Sequence, residues 1–351
     1  MNATSLSKAA ARRPRATMRD VAALAGVSLK TVSRVVNGEA GVSLDVRTRV
    51  QRAIGQLGYQ HNLAASNLRR TNSRTGTVGV LLQDVSNSFS ASLLRALEDT
   101  ARERDVAVLA ASLDEEPERE RVLVGSLVRR RVDGLVLMPA SQRQDYLADE
   151  LRSGLPVVFV DRAPHGIDAD SVTVDNRGGA ATATSHLIRQ GHERIAYLGD
   201  LATIETAAAR LRGFREAHAA AGLSIDPRLE VSGLRSEEAA RQAVFALLAL
   251  AEPPTALFAA RNSLAVGAVK ALRAHGRTRE IALVGFDDFP LADVLDPGLT
   301  VMRQDVRRIG AEVARLLFAR IDGDERPPAH LVLEPLLVVR GSGEIRPAVL
   351  R

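Results

Sequence analysis

Residues 17–38 read TMRDVAALAGVSLKTVSRVVNG, and the spacing of their apolar side chains predicts two short helices that meet at a tight turn. Val21 and Leu24 share one face of the first helix. The second helix presents three valines on one face, namely Val32, Val35 and Val36. Gly26 can supply a left-handed turn residue between them. This pattern is typical of a helix-turn-helix.

Polar residues at the predicted helix ends support this interpretation. Thr17 can cap the first helix, with Asp20 three residues later as the acid of a capping box, and Ser28 can cap the second helix. Ser43 can cap a third helix of residues 44–57, which Gly58 ends; its inner stripe is Val46, Val50, Ile54 and Leu57. Residues 17–60 are therefore predicted to form a three-helix head.

The polar face of the second helix predicts a function for this head. Leu29, Lys30, Ser33 and Arg34 would face the major groove of DNA, where base edges can be distinguished. Lys30 and Arg34 can donate hydrogen bonds to guanine, while Thr31, Ser33 and the helix amides suit phosphate oxygens. A helical hairpin in an ordinary core would explain the valines but not this polar face.

The stretch GVSLKTVSRVVNG, preceded by MRDVA, closely resembles the head of the LacI/GalR (lactose-repressor) family of bacterial transcription factors. The resemblance implies a hinge over residues 61–76, with a short helix that folds on operator DNA, pairs with its dimer mate and inserts Leu68 into the minor groove. His61 and Ser66 depart from the family pattern there. The full set of predicted DNA contacts is Thr17, Ser28, Leu29, Lys30, Thr31, Ser33, Arg34, Asn37, Tyr59, Asn62, Leu68 and Arg69.

Length and composition limit the remaining classes of protein. At 351 residues, the chain is long enough for two or three domains. It has no cysteine, which excludes disulfides, thiolate metal sites and a cysteine nucleophile. Residues 1–16 are predicted to be a disordered basic tail, and no apolar run suits a signal peptide or a membrane span. We therefore expect a cytoplasmic protein with no membrane partner.

Charge is distributed unevenly along the chain. Residues 1–75 contain 13 lysines and arginines against three acidic residues, a net charge of +10. Because the whole chain carries +5, the remainder carries −5. A basic head on an acidic body indicates a nucleic-acid-binding protein whose body has another task.

The body has the pattern of an α/β fold. Buried strands are predicted at residues 78–82, 106–110, 135–138, 157–160, 195–198, 256–259 and 281–285. Amphipathic helices are predicted at about 91–104, 118–130, 178–190, 210–221, 237–251 and 264–275. This alternation predicts parallel sheets covered on both faces, and the number of elements favours two doubly wound lobes over one sheet.

Residues 77–345 also resemble the periplasmic sugar-binding fold of the same family. The motifs that carry the resemblance are VDN (174–176), GA (179–180), HL (186–187), GHERI (191–195), Arg210 with GF (213–214), VGFDD (284–288) and LVVRGS (337–342). In that fold the chain crosses between lobes three times, here near residues 174, 301 and 333. This implies an N-lobe of about 77–173 and 304–333 and a C-lobe of about 174–303 and 334–345.

A ligand site is predicted where the strands end, because doubly wound sheets bind ligands beyond the carboxyl ends of their strands. The segments to inspect are 84–90, 161–162, 201–210, 261–262 and 287–288. The resemblance implies that Arg210 and Asp287 form a charged pair that fixes ligand hydroxyls. The predicted effector-binding residues are Phe89, Ser90, Asp161, Thr206, Arg210, Leu234, Arg261 and Asp287.

Arg261 leaves two alternatives for the chemistry of the effector. It stands where the family usually has asparagine. As a second cation beside Arg210, it would favour an acidic or phosphorylated sugar over a neutral one. Folded back onto Asp287 or Asp288, it would instead be neutralised.

The sequence predicts a ligand-responsive transcriptional regulator, in the first place a repressor, acting as a homodimer on a palindromic operator. Two alternatives are a sugar-binding protein that does not control DNA release and an enzyme acting on sugars. A catalytic function has no support, since no nucleophile elbow, phosphate loop or paired-carboxylate signature stands out. His186 and His192 lack metal-ligand spacing, so we expect no metal and no cofactor.

Overall fold

The computed structural model describes residues 16–36, 39–59 and 74–348. The chain divides into two compact units, Met1–Thr75 and Gly76–Arg351, which we call the head and the body. Several predictions lie outside the described residues: the basic tail up to residue 15, the hinge helix, and the DNA contacts Asn37, Asn62, Leu68 and Arg69.

The described part of the head contains the helices α1 (Met18–Ala25), α2 (Leu29–Val36) and α3 (Leu44–Leu57). Thr17 and Asp20 form the capping box of α1, in which Thr17 N donates to Asp20 Oδ2 at 2.8 Å. Ser28 Oγ accepts from Thr31 N at 3.1 Å. Gly26 has a φ of +64°, the left-handed conformation that the turn requires. The predicted helix-turn-helix is confirmed.

Small residues take a larger part in the core of the head than predicted. Val21, Val32 and Val50 are fully buried, as the pattern indicated. Leu24 and Leu57 are 50% and 37% exposed, so their assignment to the inner faces is wrong. Ala22, Ala25 and Ala53 are buried in the core between the helices instead. Alanine allows helices to approach closely, and the bulkier leucines lie at the edge of the contact.

The body consists of alternating strands and helices. The strands are β1 (Thr77–Leu82), β2 (Ala107–Ser112), β3 (Gly134–Leu137), β4 (Val157–Asp161), β5 (Asp170–Val174), β6 (Ile195–Leu198), β7 (Glu230–Val231), β8 (Ala256–Ala259), β9 (Ala282–Phe286), β10 (Thr300–Arg303), β11 (His330–Leu333) and β12 (Leu336–Val338). The helices are α4 (Ser88–Glu103), α5 (Pro117–Arg129), α6 (Ala148–Arg152), α7 (Asn176–Arg189), α8 (Glu205–Ala220), α9 (Glu237–Leu248), α10 (Asn262–Ala274) and α11 (Val306–Ile321).

These strands form two six-stranded sheets. The order is β11-β5-β4-β3-β1-β2 in the first sheet and β12-β10-β9-β8-β6-β7 in the second. Within the described ranges, the pairing is parallel except between β10 and β12. The predicted fold class is confirmed: a helix-turn-helix head and a body of two doubly wound, parallel-sheet lobes. We call the lobe built on the first sheet the N-lobe and the other the C-lobe.

The chain passes between the lobes after β5, after β10 and between β11 and β12. Helix α11 covers the N-lobe sheet together with α4, where Ile309, Val313 and Leu317 are buried. Helix α7 packs on the C-lobe, where Ala180, Ala183 and Leu187 are buried. Among the described helices, none is long and apolar enough to cross a membrane.

Helix α8 begins at Glu205, five residues before the predicted start. Glu205 lies in its first turn, where a negative charge is favourable, and three alanines follow close behind. The earlier start is important for the site. It places Thr206 and Arg210 four residues apart on one helix, and thus on the same face.

Candidate functional site

A cleft lies between the two lobes, at the carboxyl ends of their strands. Its cavity volume is about 50 Å³. Gln83 follows β1, Asp161 ends β4 and Asp287 follows β9, while Asp200 and Gln304 follow β6 and β10. This is the position at which doubly wound sheets bind ligands.

Most of the predicted effector-binding residues line this cleft: Phe89, Ser90, Asp161, Thr206, Arg210, Arg261 and Asp287. The structure does not bring Leu234 to them. Leu234 is 9% exposed and packs in the apolar core of the C-lobe with Leu198 and Leu229. Its backbone amide donates to Gly199 O at 2.9 Å, which holds the turn against the sheet and directs the leucine into the core.

Arg210 is held on several sides. Its Nε donates to Asn176 Oδ1 at 2.8 Å and its Nη1 donates to Ala260 O at 2.7 Å. The same Nη1 lies 3.5 Å from Asp287 Oδ2, and the guanidinium lies 3.8 Å from the centre of the Phe286 ring. Only 7% of the side chain is exposed. The guanidinium is therefore fixed before a ligand arrives.

Two aspartates beside Arg210 have an uncommon backbone conformation. Asp161 has a φ of +68° and Asp287 a φ of +71°, in the left-handed region that aspartate tolerates better than most residues. Gln304 Nε2 donates to Asp287 Oδ1 at 2.5 Å. Burial raises the pKa of Asp161, although the charges of Arg162 and Arg210 act in the opposite direction. Such a poorly hydrated carboxyl group is suited to bind a ligand hydroxyl.

Arg261 adopts neither of the two arrangements considered from the sequence. Its Nη1 lies 2.6 Å from Asp200 Oδ2, and the two side chains are 17% and 9% exposed. It does not fold onto Asp287 or Asp288, because Asp288 instead pairs with Arg340 at 2.6 Å. It is also not an unpaired second cation, so the reason for preferring an anionic effector is removed.

A buried ion pair that the sequence did not predict completes the N-lobe wall. Arg162 Nη2 lies 2.5 Å from Glu115 Oε1, and Arg162 Nη1 lies 2.7 Å from Glu115 Oε2. Arg162 also donates to Pro139 O at 2.7 Å. Both side chains are at most 8% exposed. Arg162, Arg210 and Arg261 thus each have a carboxylate partner within the cleft.

Sequence reasoning missed further lining residues: Gln83, Asn87, Glu115, Arg162, Asp200, Asn262 and Gln304. Asn87, Arg162 and Asn262 lie in the segments that were predicted to contain the site, but they were not among the predicted effector-binding residues. The signal that could have identified the others is their position. Each follows the carboxyl end of a strand by one to three residues.

The lobes are in direct contact around the cleft. Asn87 Nδ2 donates to Asn262 Oδ1 at 3.0 Å, and Asn262 Nδ2 donates to Ser88 Oγ at 2.9 Å. His165 Nε2 lies 3.3 Å from Glu205 Oε2. These contacts join an N-lobe residue to a C-lobe residue in each case, so the body is in a closed arrangement.

The head presents the predicted face of α2. Leu29 is 41% exposed and Lys30 is exposed. Thr31 Oγ1 lies 2.9 Å from Ser28 Oγ. Arg34 Nη2 donates to Ala40 O at 2.8 Å, and Arg34 Nε lies 3.5 Å from Glu39 Oε2. Three further predicted DNA contacts lie among the described residues. Thr17 caps α1, and Ser33 and Tyr59 are half-buried.

Two family models match the chain. Residues 17–62 match "Bacterial regulatory proteins, lacI family" and residues 184–343 match "Periplasmic binding protein-like domain". The HTH-type transcriptional regulator CelR of Thermobifida fusca is 38% identical over 343 residues, which cover 95% of this chain and 99% of CelR.

Solved structures agree with these matches. A transcriptional regulator CelR–cellobiose complex has a TM-score of 0.67 at 36% identity, covering 94% of this chain and 100% of that one. The lac repressor dimer bound to operator and the anti-inducer ONPF has a TM-score of 0.81 at 28% identity, covering 94% and 99%. These relatives are named as a transcriptional regulator and a repressor. The chain belongs to the lacI family of bacterial regulatory proteins.

Proposed function

We propose that this protein is a transcriptional repressor that binds a palindromic operator as a homodimer and is controlled by a sugar bound in the cleft. The observation that carries the proposal is the fixed Arg210 guanidinium beside Asp287 and Asp161. A planar guanidinium and two carboxylates can each bind neighbouring hydroxyl groups of a sugar ring. As a regulator, the protein acts in the cytoplasm and, when bound to DNA, on the nucleoid.

The charge balance of the cleft favours a neutral sugar. Each arginine that lines it has a carboxylate partner within 3.5 Å. An anionic ligand would have to displace a buried carboxylate from its arginine, which is costly because the displaced charge stays out of water. A neutral polyol can instead share both members of a pair through hydrogen bonds.

The sugar is proposed to act by bridging the lobes. Ser90 and Asp161 belong to the N-lobe, whereas Thr206, Arg210 and Asp287 belong to the C-lobe. A ligand held by both groups binds the closed arrangement more tightly than an open one, and therefore shifts the population toward it.

For DNA binding, the proposal is that α2 enters the major groove, with Lys30 and Arg34 reading bases and the polar helix start holding phosphates. The lac repressor relative is a dimer bound to operator, which supports the same assembly here. Half-sites about one helical turn apart would match such a dimer. The contacts proposed for Asn37, Asn62, Leu68 and Arg69 rest on the sequence.

The test is a measurement of DNA binding by the full chain. Fragments selected from the source genome would supply the operator, and fluorescence anisotropy would follow its release. Cellobiose is the first sugar to add because the CelR relative is described in complex with it; lactose, maltose, glucose and galactose complete the panel. We expect one of these sugars to change operator affinity at least tenfold. Absence of selective DNA binding would refute the proposal.

A further inference from the structure

The loop of residues 39–41, which leads towards α3, folds against Arg34 of α2. Glu39 N donates to Arg34 O at 2.9 Å, and Arg47 Nη2 of α3 donates to Glu39 O at 3.3 Å. Gly41 has a φ of +88°, and a Cβ atom there would lie 3.0 Å from Arg34 Nη2. The loop is therefore held between the two helices, with its backbone close to the guanidinium.

The loop contacts one edge of this guanidinium and leaves the other edge available. Arg34 Nη2 donates to Ala40 O at 2.8 Å, and Arg34 Nε lies 3.5 Å from Glu39 Oε2. Nη1 has no hydrogen-bond partner among the described residues. Because Nη2 carries two N–H groups, Nη1 and Nη2 together can still donate to O6 and N7 of a guanine. The loop thus holds Arg34 by its Nε side and presents the opposite edge.

Glu39 differs from the other two acidic residues of the head. Asp20 caps α1 through Thr17, and Asp45 lies 3.7 Å from Arg49 on α3. The carboxylate of Glu39 instead faces an arginine that is proposed to read DNA. Because both side chains of this pair are exposed to water, the pair adds little to the stability of the head. Its effect is therefore expected on DNA binding rather than on folding.

We infer that Glu39 is a specificity-determining residue, which orients Arg34 for a guanine and weakens its attraction to phosphates. This inference rests on the proposed function of α2 in DNA binding. At the operator, a guanidinium that is already oriented loses less conformational freedom when it binds the base. On other DNA, affinity comes from neutralised phosphates, and the carboxylate cancels part of that attraction. Both effects favour the operator over other sequences.

The experiment is the substitution Glu39→Gln in the full chain, which removes the charge and nearly preserves the shape of the side chain. Fluorescence anisotropy at several salt concentrations measures affinity for the selected operator and for a scrambled duplex of the same length. The ratio of operator affinity to scrambled-duplex affinity should fall about tenfold, because Arg34 loses its orientation. Binding of the scrambled duplex should also become more salt-dependent, by up to about one phosphate contact.

Asp45→Asn is the matched control, because it removes one negative charge from the same head but from a residue that pairs with Arg49. It should raise both affinities by a similar factor and keep their ratio within about twofold of the parent. In an Arg34→Ala background, Glu39→Gln should not change the ratio further, since there is no guanidinium to orient. Thermal melting checks that all variants are folded.

The outcomes separate this inference from the proposed function. If the parent binds its operator selectively and Glu39→Gln keeps the parental ratio or raises it, the role of Glu39 is refuted and the proposed function stands. The inference also fails if Glu39→Gln lowers the ratio equally in the Arg34→Ala background, because the effect would then not depend on Arg34. If the parent does not distinguish any operator from the scrambled duplex, both proposals are overturned.

Discussion

The head and the cleft both present arginines for recognition, but they hold them in opposite ways. Arg34, on the face of α2 proposed to bind DNA, has a side chain that is 40% exposed, with one carbonyl partner and a carboxylate 3.5 Å away. Arg210 in the cleft is 7% exposed and is held by two hydrogen bonds, a carboxylate and an aromatic ring. A DNA-binding surface needs cations that can reach phosphates and bases, whereas a pocket for a neutral ligand needs fixed donors whose charge is balanced.

This difference determines what each arginine contributes to stability. Removal of Arg34 leaves Glu39 exposed to water, which costs little. Removal of Arg210 leaves the carboxylates of Asp287 and Asp161 buried with less compensation, and breaking a buried pair is expensive.

The largest expected effect is therefore on the stability of the body. Arg210→Ala should lower the free energy of unfolding of the body by about 3–5 kcal/mol, because a buried carboxylate loses its partner. Arg34→Ala should change stability by less than about 0.5 kcal/mol, as for most surface substitutions. Hydrogen exchange measures the two units separately in the full chain.

Arg143→Ala is the matched control for the loss of an ion pair, since Arg143 pairs with Asp145 at an exposed site. Because both side chains of this pair are exposed to water, its loss should cost far less than the loss of Arg210. Equal costs for Arg210→Ala and Arg143→Ala would show that the cleft pair is not energetically different from a surface pair.

The second prediction concerns operator binding, in which Arg34 of the head is expected to have the larger effect. Arg34→Ala should weaken operator binding by about 1–3 kcal/mol if Arg34 reads a guanine, as proposed. Arg34→Lys keeps the charge but loses the bidentate fork, so it should retain non-specific affinity and lose discrimination between operator and mutant operator. Anisotropy titrations at several salt concentrations check both expectations. An Arg34→Ala protein with parental discrimination would remove Arg34 from the base-reading set.

The third prediction uses the raised pKa of Asp161 in the cleft. A carboxyl group whose folded pKa lies above its ordinary 3.8 binds more protons in the folded state. Stability should therefore fall as pH rises from about 3.8 through the raised pKa. Asp161→Asn removes this contribution, so its stability should depend less on pH over that window.

Chemical denaturation at a series of pH values gives the difference between Asp161→Asn and the parent. The same variant should bind sugar more weakly, because an amide cannot replace the carboxylate as acceptor on both oxygens. Parallel pH profiles for the two proteins would contradict the assignment of the raised pKa to Asp161.

Local chemistry explains why parts of both regions could be predicted. The caps Thr17 and Ser28 and the turn residue Gly26 act within four residues of themselves, so the sequence around them was sufficient. The position of the cleft followed from a general rule about strand ends. The wrong predictions concern tertiary geometry. Leu234 was predicted to bind the effector but lies in the core, and Leu24 was predicted to be buried but is exposed, with alanines in the core of the head instead.

The partner of Arg261 illustrates the limit of such reasoning. Asp200, Asp287 and Asp288 all follow strands of the C-lobe sheet, and their separation in sequence does not indicate which of them meets Arg261. Strand order alone does not decide this question, because β8 lies between β6 and β9 and its end is next to both Asp200 and Asp287. Asp287 is held by Arg210 and Gln304, and Asp288 is paired with Arg340, so Asp200 is the partner that remains for Arg261. These competing contacts depend on tertiary structure and could not be determined from the spacing of strands along the chain.

The smallest expected effect tests whether that pair sets the charge preference of the cleft. The parent should bind neutral cellobiose in preference to the acid cellobionate, and glucose in preference to glucose 6-phosphate. Asp200→Asn releases Arg261 from its carboxylate while preserving the shape of the side chain. The freed guanidinium can then bind an anion bidentately, so affinity for the anionic sugar should rise about tenfold, or about 1.4 kcal/mol. Affinity for the neutral sugar should stay within about threefold.

Asp226→Asn is the matched control, because Asp226 also pairs with arginines, Arg194 and Arg228, but does not line the cleft. It should leave both affinities unchanged. Calorimetric titration of the three proteins with both pairs of sugars gives the comparison. A parent that prefers the anion would mean that the ligand opens the Arg261–Asp200 pair, and the cleft would then resemble the head in keeping a cation available for its partner.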